Sequence, residues 1–227
     1  MTTALVKKRI DAIDMMRGLV ILLMLLDHVR ERFYLHMQVS DPMDISITEP
    51  GLFFSRFAAH FCAPVFVFLT GLSAWLYQHH SAPPRAVRSF LVKRGLFLIL
   101  LELTLVNFAW MGAYHTLWLQ VIWVIGLSML ALALLSALPR IILWLIALTL
   151  LFGHNLLTPI QFAPGDSGYW LWTILHDRGW IEVSENLRLR TSYPLLPWIG
   201  VIGLGYALGP WFARGVDVLV RQRRLLI

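Results

Sequence analysis

A single cysteine, Cys62, stands in 227 residues, and it lies inside an apolar stretch. That excludes an intramolecular disulfide and any cysteine-based metal site. Charge is the next scarcity: 14% of residues are charged and 58% hydrophobic, with a mean hydropathy of +0.69. A soluble domain holds roughly 45–50% apolar residues, so the composition points to a membrane protein. No H-E-x-x-H or related spacing suggests a metal, even with His28, His60 and His154 in the chain, and no glycine-rich loop suggests a phosphate cradle. The first apolar run leads into Asp27-His28-Val29-Arg30 rather than a small-residue cleavage site, so it reads as a signal anchor. No internal repeat, linker or second soluble domain is visible. A net charge of +6 would suggest nucleic acid in a soluble protein. Here cytoplasmic Lys and Arg account for it, and no nucleic-acid partner is inferred.

What the chain does have is long apolar runs. About 20 such residues cross a bilayer, and six stretches qualify: Ile13 to Leu35, Phe57 to Tyr77, Gly95 to Tyr114, Leu117 to Leu138, Ile141 to Leu157 and Pro194 to Ala213. With the N-terminus in the cytoplasm, the inside set is Lys7, Lys8, Arg9, Arg17, Arg85, Arg88, Lys93, Arg94, Arg140, Arg214, Arg221, Arg223 and Arg224. The outside set is Arg30, Arg32, Arg56, Arg178, Arg188 and Arg190. That bias of about two to one is the positive-inside pattern. The expected fold is therefore all-α, a polytopic bundle of about six transmembrane helices with a cytoplasmic N-terminus.

The first span is the most polar. At about 100° per residue, Asp14, Arg17, Ile21, Met24 and His28 share one face, and Arg17 to His28 covers about 16 Å. Asp14 and Arg17 can pair at i,i+3. His28, at about mid-depth, exchanges a proton near neutral pH, so it is either a functional group or a satisfied interior histidine. Asp27 lies off that face and is left without an assigned partner. Other polar groups within the spans are His60, Glu102, Asn107, Gln120, His154 and Asn155. Interhelical hydrogen bonding suits Asn107, Gln120 and Asn155, whereas Glu102 is divided between an internal pair and a pathway. The segment from 158 to 192 holds Pro164-Gly165-Asp166-Ser167-Gly168 and then Trp170, Trp172 and Trp180. These aromatics form an interfacial belt or stack a sugar ring over a site. Gly200, Gly203, Gly205 and Gly209 suit close helix packing.

The segments "DAIDMMRGLVILLMLLDH", "LFFSRFAAHFCAPVFVFLTGLSAWL", "LVKRGLFLILLELTLV", "LQVIWVIGLSMLAL", "GHNLL" and "YPLLPWIGVIGLGYALG" resemble, in that order, the bacterial membrane proteins related to heparan-alpha-glucosaminide N-acetyltransferase. The Asp-x-x-Arg followed by His28 also resembles the first helix of the acyltransferase-3 family. The resemblance implies one transmembrane acyltransferase-like domain over 1–227, short of the helices with which family members continue after a basic segment such as "RQRRLLI". It implies a multi-pass protein of the bacterial inner membrane that moves an acyl group from cytosolic acetyl-CoA to a sugar amine or hydroxyl at the outer face. His28 would be the general base, with Asp14, Arg17, His60 and Glu102 as further site residues. His36 takes the base's place in the alignment to the heparan enzyme. Arg17, Arg88 and Arg94 would meet the CoA phosphates, and no metal is implied. The partners are the bilayer and a small-molecule or glycan acceptor, with a homo-oligomer left open. The rival reading is a transporter or permease component whose polar stripe carries protons or solute; a third is a scaffold or inactive remnant.

Overall fold

A computed structural model describes residues 10–33, 39, 41–213 and 216–226. His36 lies outside the described residues. The chain divides into two compact units, Met1–Leu69 and Thr70–Ile227.

In the first unit, α1 (Asp11–Phe33) is a Leu- and Met-rich run without proline, with Asp11 and Asp14 in its first turn and Arg30 and Arg32 in its last. Both sets of charges complement the helix dipole. Its buried residues are Ile13, Val20 and Asp27, with Arg17 and Met24 half-buried between them. This 4-3-4-3 spacing defines the inward face. The face expected from the sequence is thereby corrected: Asp14 and Ile21 are exposed, and the inward stripe runs from Ile13 to Asp27 instead. Helix α2 (Pro50–Ala59) opens with proline in its first turn, where the missing N–H costs nothing. A turn at His60-Phe61 separates it from α3 (Cys62–Gln78). Pro64 explains the break, because it cannot donate to the carbonyl of His60. The Cys62 thiol donates to the Val20 carbonyl at 3.4 Å and joins α3 to α1.

The second unit continues α3 and adds α4 (Val87–Leu101), which passes through a π-helical turn (Glu102–Val106) into α5 (Asn107–Met111). Strand β1 (Thr116–Leu119) leads into α6 (Val121–Leu135). Then come α7 (Arg140–Gly153) with a 3-10 turn (His154–Leu157), α8 (Tyr169–Leu175), β2 (Trp180–Ser184), β3 (Leu187–Thr191) and α9 (Leu195–Ala207). A second 3-10 turn (Gly209–Phe212) and α10 (Val218–Leu226) follow. The strands form a sheet of order β1-β3-β2, with β1 parallel and β2 antiparallel to β3, and Thr116 opposite Arg188. The fold is mostly helical, and this sheet corrects the all-α expectation. In "WIEVS" and "LRLRT" the residues alternate around a two-residue Glu185-Asn186 turn, the pattern of a hairpin.

Two helical runs, Pro50–Gln78 and Arg140–Leu157, are long and apolar enough to cross a membrane; Val121–Leu135 and Leu195–Ala207 are apolar but shorter. The count of six is thus not reproduced among the described residues. The third and fourth expected spans differ most, because α4 begins at Val87 and residues 116–119 form a strand.

The second unit contains an internal repeat that the sequence does not display. Helix α4 packs on α6, and α7 packs on α9. In the first pair Arg88 Nε donates to the Ala133 carbonyl, and in the second Arg140 Nε donates to the Ala207 carbonyl, both at 3.1 Å. A Cβ on Gly126 would sit 2.7 Å from the Gly95 carbonyl, and one on Gly200 would sit 2.8 Å from the Ala147 carbonyl. The step from Arg88 to Arg140 equals that from Gly95 to Ala147, and the step from Ala133 to Ala207 equals that from Gly126 to Gly200. Each second helix follows a strand, and those strands, β1 and β3, pair in parallel. The inserted α8 and β2 lengthen the second copy and hide the relation. Between the pairs lies a core of Leu119, Trp123, Val124 and Leu195.

Candidate functional site

Asp27 answers the question of its partner. It is 7% exposed, and its carboxylate accepts from Arg30 Nη2 at 3.0 Å and Arg56 Nη1 at 2.5 Å. Arg56 also reaches Glu31 at 3.2 Å. Two carboxylates and two guanidiniums thus close a network between α1 and α2. A buried carboxylate costs several kcal/mol unless it is paired in this way. His28 lies at the edge of the network with Nδ1 3.8 Å from Glu31 Oε2, and both side chains are 42% exposed. His60, in the turn after α2, has Nδ1 2.8 Å from the Arg56 carbonyl of that helix, and the residue is exposed. At the other end of α1, Arg17 pairs with Asp14 at 3.1 Å on the surface.

In the second unit, Glu102 is 2% exposed. Its carboxylate faces the backbone amides of Gln120, Ile122 and Trp123, and the Trp123 N–H donates at 3.2 Å. It therefore satisfies the open amides at the start of α6, which that helix has no residues of its own to pair. Asn107 completes the corner: its amide donates to the carbonyls of Glu102 and Trp118 and accepts from Trp118 N–H at 2.6 Å. The π turn brings Glu102 and Asn107 to this junction together. The geometry gives Glu102 a structural task.

The equivalent corner of the second pair is built differently. The step from Glu102 to His154 is the repeat's own step, and Gln120 and Trp123 correspond to Pro194 and Pro197. Proline has no amide hydrogen, so a carboxylate here would lose two of its facing amides. In its place is a cavity of about 210 Å³ lined by His154, Asn155, His176, Arg178, Tyr193, Pro194, Pro197 and Trp198. His154 Nδ1 lies 3.0 and 3.1 Å from the carbonyls of Leu150 and Leu151. Carbonyls only accept, so Nδ1 carries a hydrogen, and in the neutral ring Nε2 is then the acceptor. His176 has both nitrogens engaged, Nδ1 with Asp177 at 2.8 Å and Nε2 with the His154 carbonyl at 3.0 Å. Trp172 stacks on it with centroids 4.9 Å apart. His176 is thus a clasp that fixes the wall of the cavity.

The model for the family described as heparan-alpha-glucosaminide N-acetyltransferase, catalytic, matches residues 9–224. The chain belongs to this family. No curated protein and no solved structure matches it. Within this acetyltransferase-family chain, the expected site residues are distributed over both units. His28 and His60 both lie by the α1–α2 network, His60 through the Arg56 carbonyl and His28 through Glu31. Asp14 and Arg17 pair at the opposite end of α1. Arg88 is engaged with the end of α6, and Arg94 lies over the Phe90 ring at 5.0 Å. Among the described residues no three of His, Cys, Asp or Glu gather as metal ligands. Two features escaped the sequence reading, Arg56 as the partner of Asp27 and the cavity at His154. The run His176-Asp177-Arg178 after the aromatic stretch was the available signal for the second. Of the loop tryptophans, Trp172 packs on His176, and Trp180 lies under Arg188 and Arg190 at 4.4 and 5.2 Å. Trp198 is the tryptophan that lines the cavity.

Proposed function

We propose that this chain is a multi-pass inner-membrane acetyltransferase that moves an acetyl group from cytosolic acetyl-CoA to the amine or hydroxyl of a sugar acceptor at the outer face. The observation that carries the reading is the family match over residues 9–224. The membrane setting is supported by the two spanning-length helices and by large apolar side chains left exposed on α1, α4 and α7, among them Leu22, Phe97, Leu145 and Phe152. Large apolar surfaces of this kind mark contact with a membrane or another protein.

In this reading His28 is the general base. It takes the proton from the acceptor's amine or hydroxyl as that atom attacks the thioester carbonyl, and the Glu31 carboxylate steadies the resulting imidazolium. Collapse of the tetrahedral intermediate breaks the C–S bond, and the CoA thiolate leaves with that proton as the free thiol. The buried Asp27–Arg56 pair fixes the helix end that carries His28, while Arg17, Arg88 and Arg94 supply cations toward the CoA phosphates. The test is transfer of radiolabelled acetyl from acetyl-CoA to glucosamine by purified protein in nanodiscs. His28→Ala is expected to lower the rate by at least 100-fold, in line with the roughly 10²–10⁴ carried by a general base, with insertion and thermal stability unchanged. Full activity in that variant would remove His28 from the role.

A further inference from the structure

One end of the second unit gathers its cations. The start of α4 meets the end of α6 through Arg88, and the start of α7 meets the end of α9 through Arg140. The short turn 136–139 joins the two pairs, and α10 follows from the same end. Arg85, Arg88, Arg140, Arg221, Arg223 and Arg224 belong here, where Asp217 is the one acid among the described residues. Asp166, Asp177, Glu182 and Glu185 all lie on the segments at the opposite end, between α7 and α9. Helix α10 combines this charge with open apolar surface. The Asp217 carboxylate accepts from the Leu219 N–H at 2.7 Å and caps its first turn. Arg221 anchors it: Nε donates to the Trp211 carbonyl at 3.3 Å, Nη2 donates to the Val216 carbonyl at 3.4 Å, and the guanidinium lies 5.4 Å from the Phe212 ring centre. The apolar side is left uncovered, with Val218, Leu219 and Leu226 60%, 68% and 86% exposed. At about 100° per residue these three fall within an arc of about 100°, with Gln222 among them, and Arg221 and Arg223 stand at its two rims.

We propose that α10 is an interfacial helix whose uncovered apolar side sinks into the membrane surface while Arg223 and Arg224 bind the phosphates of anionic lipids. The proposal rests on the membrane reading above. Charge selects the occupant. Arg223 and Arg224 are exposed, and their side chains have no hydrogen bond or ion pair among the described residues, so their donors are available to phosphate oxygens. Three arginines in nine residues keep the helix out of the hydrocarbon core. Its uncovered Val and Leu side chains, in turn, favour leaving water. The headgroup boundary satisfies both demands, with the apolar side turned to the acyl chains and the arginines at the level of the phosphates. Arg221 holds the helix to the bundle beforehand, so the surface is presented ready-made and little ordering is left for lipid binding to cost.

The test places a nitroxide at position 219, through Leu219→Cys, in the full chain held in nanodiscs of phosphatidylcholine alone or with about 30% phosphatidylglycerol. Cys62 is 4% exposed, and the unsubstituted chain serves as the labelling blank. Collisions with oxygen report lipid, and collisions with a nickel chelate report water. In the anionic discs the label is expected to lose nickel access about fivefold relative to the zwitterionic discs while keeping oxygen access, the size of effect that one cation contributes near an anionic surface. Arg223→Gln with Arg224→Gln removes groups that hold nothing in the fold, so the chain is expected to fold normally and the difference between the discs to vanish. Equal nickel access in the two discs, or a difference that survives the double substitution, would overturn the proposal. Loss of both oxygen and nickel access would overturn it too, because that is the mark of a protein partner such as a second copy. A label through Leu145→Cys, on the exposed side of α7, separates this proposal from the membrane reading. If position 145 is shielded from nickel in both discs while position 219 stays in water, the membrane reading stands and the role of α10 falls. If position 145 is open to nickel in both, the two fall together.

Discussion

Asp27 and Asp14 sit on the same helix, the first with two arginine partners and the second with one, and physics assigns them opposite weights. Asp27 is buried against Arg30 and Arg56, whereas Asp14 and Arg17 meet in solvent with side chains 50% and 39% exposed. Removing one partner of a buried pair strands the other and costs about 3–5 kcal/mol, softened here because Arg30 remains beside Asp27. Arg56→Ala is therefore expected to lower stability by about 2–4 kcal/mol, and Asp14→Ala by less than about 1 kcal/mol, as read by chemical denaturation in detergent. Equal losses would show that the network does not organise α1. From sequence, the Asp14–Arg17 pair was legible because it is local, three residues apart. The Asp27–Arg56 pair was not, because helical periodicity ranks faces by hydrophobicity and the aspartate occupies an inward position that the pattern assigns to an apolar residue. The partner, moreover, comes from a different helix.

Helices α4 and α6 approach so closely that Gly95 and Gly126 exclude each other's Cβ: each would lie 2.7 Å from the other's carbonyl. Backbone cannot yield as a side-chain tip can, so Gly126→Ala forces the helices apart. It is expected to cost about 1–3 kcal/mol. Gly18 in α1 is the control, since nothing lies within 4 Å of its would-be Cβ. Gly18→Ala is expected to stabilise by up to about 1 kcal/mol through helix propensity. Resistance of the two variants to SDS-induced unfolding measures both signs, and a neutral Gly126→Ala would mean that the crossing is looser than described. At this scale the helices were legible in outline, from apolar runs of the right length. Strand β1 was not, because "TLWL" is mostly apolar and only Gln120 stands between it and α6, so hydropathy merges the two. The β2–β3 hairpin alternates as a half-buried strand pair should, but it lies in a segment whose tryptophans suggested an interface. The cavity shared that fate, as its lining is drawn from α9, the 3-10 turn and this same segment.

Taken whole, the second unit builds one arrangement twice and then treats the two copies unequally. Helix pairing, the arginine at the start of each pair and the small-residue crossing are shared. At the corner, Glu102 and His154 occupy one structural position with different consequences. Glu102 is buried and serves amides of α6. His154 is half-buried, bonds through its ring only to carbonyls of its own helix, and faces a cavity. If the first corner supports the fold and the second does not, truncating them should separate. Glu102→Ala leaves buried backbone donors without an acceptor, a loss of about 1–3 kcal/mol. His154→Ala removes no acceptor from any buried donor, because the His176 ring holds the backbone carbonyl of residue 154, which the substitution keeps. Its expected cost is below about 1 kcal/mol, the range of substitutions away from buried networks. Thermal unfolding of the two variants beside the parent decides the matter. A drop in Tm for Glu102→Ala several-fold larger than for His154→Ala supports the division of labour, and the reverse order would place the structural corner in the α7–α9 pair.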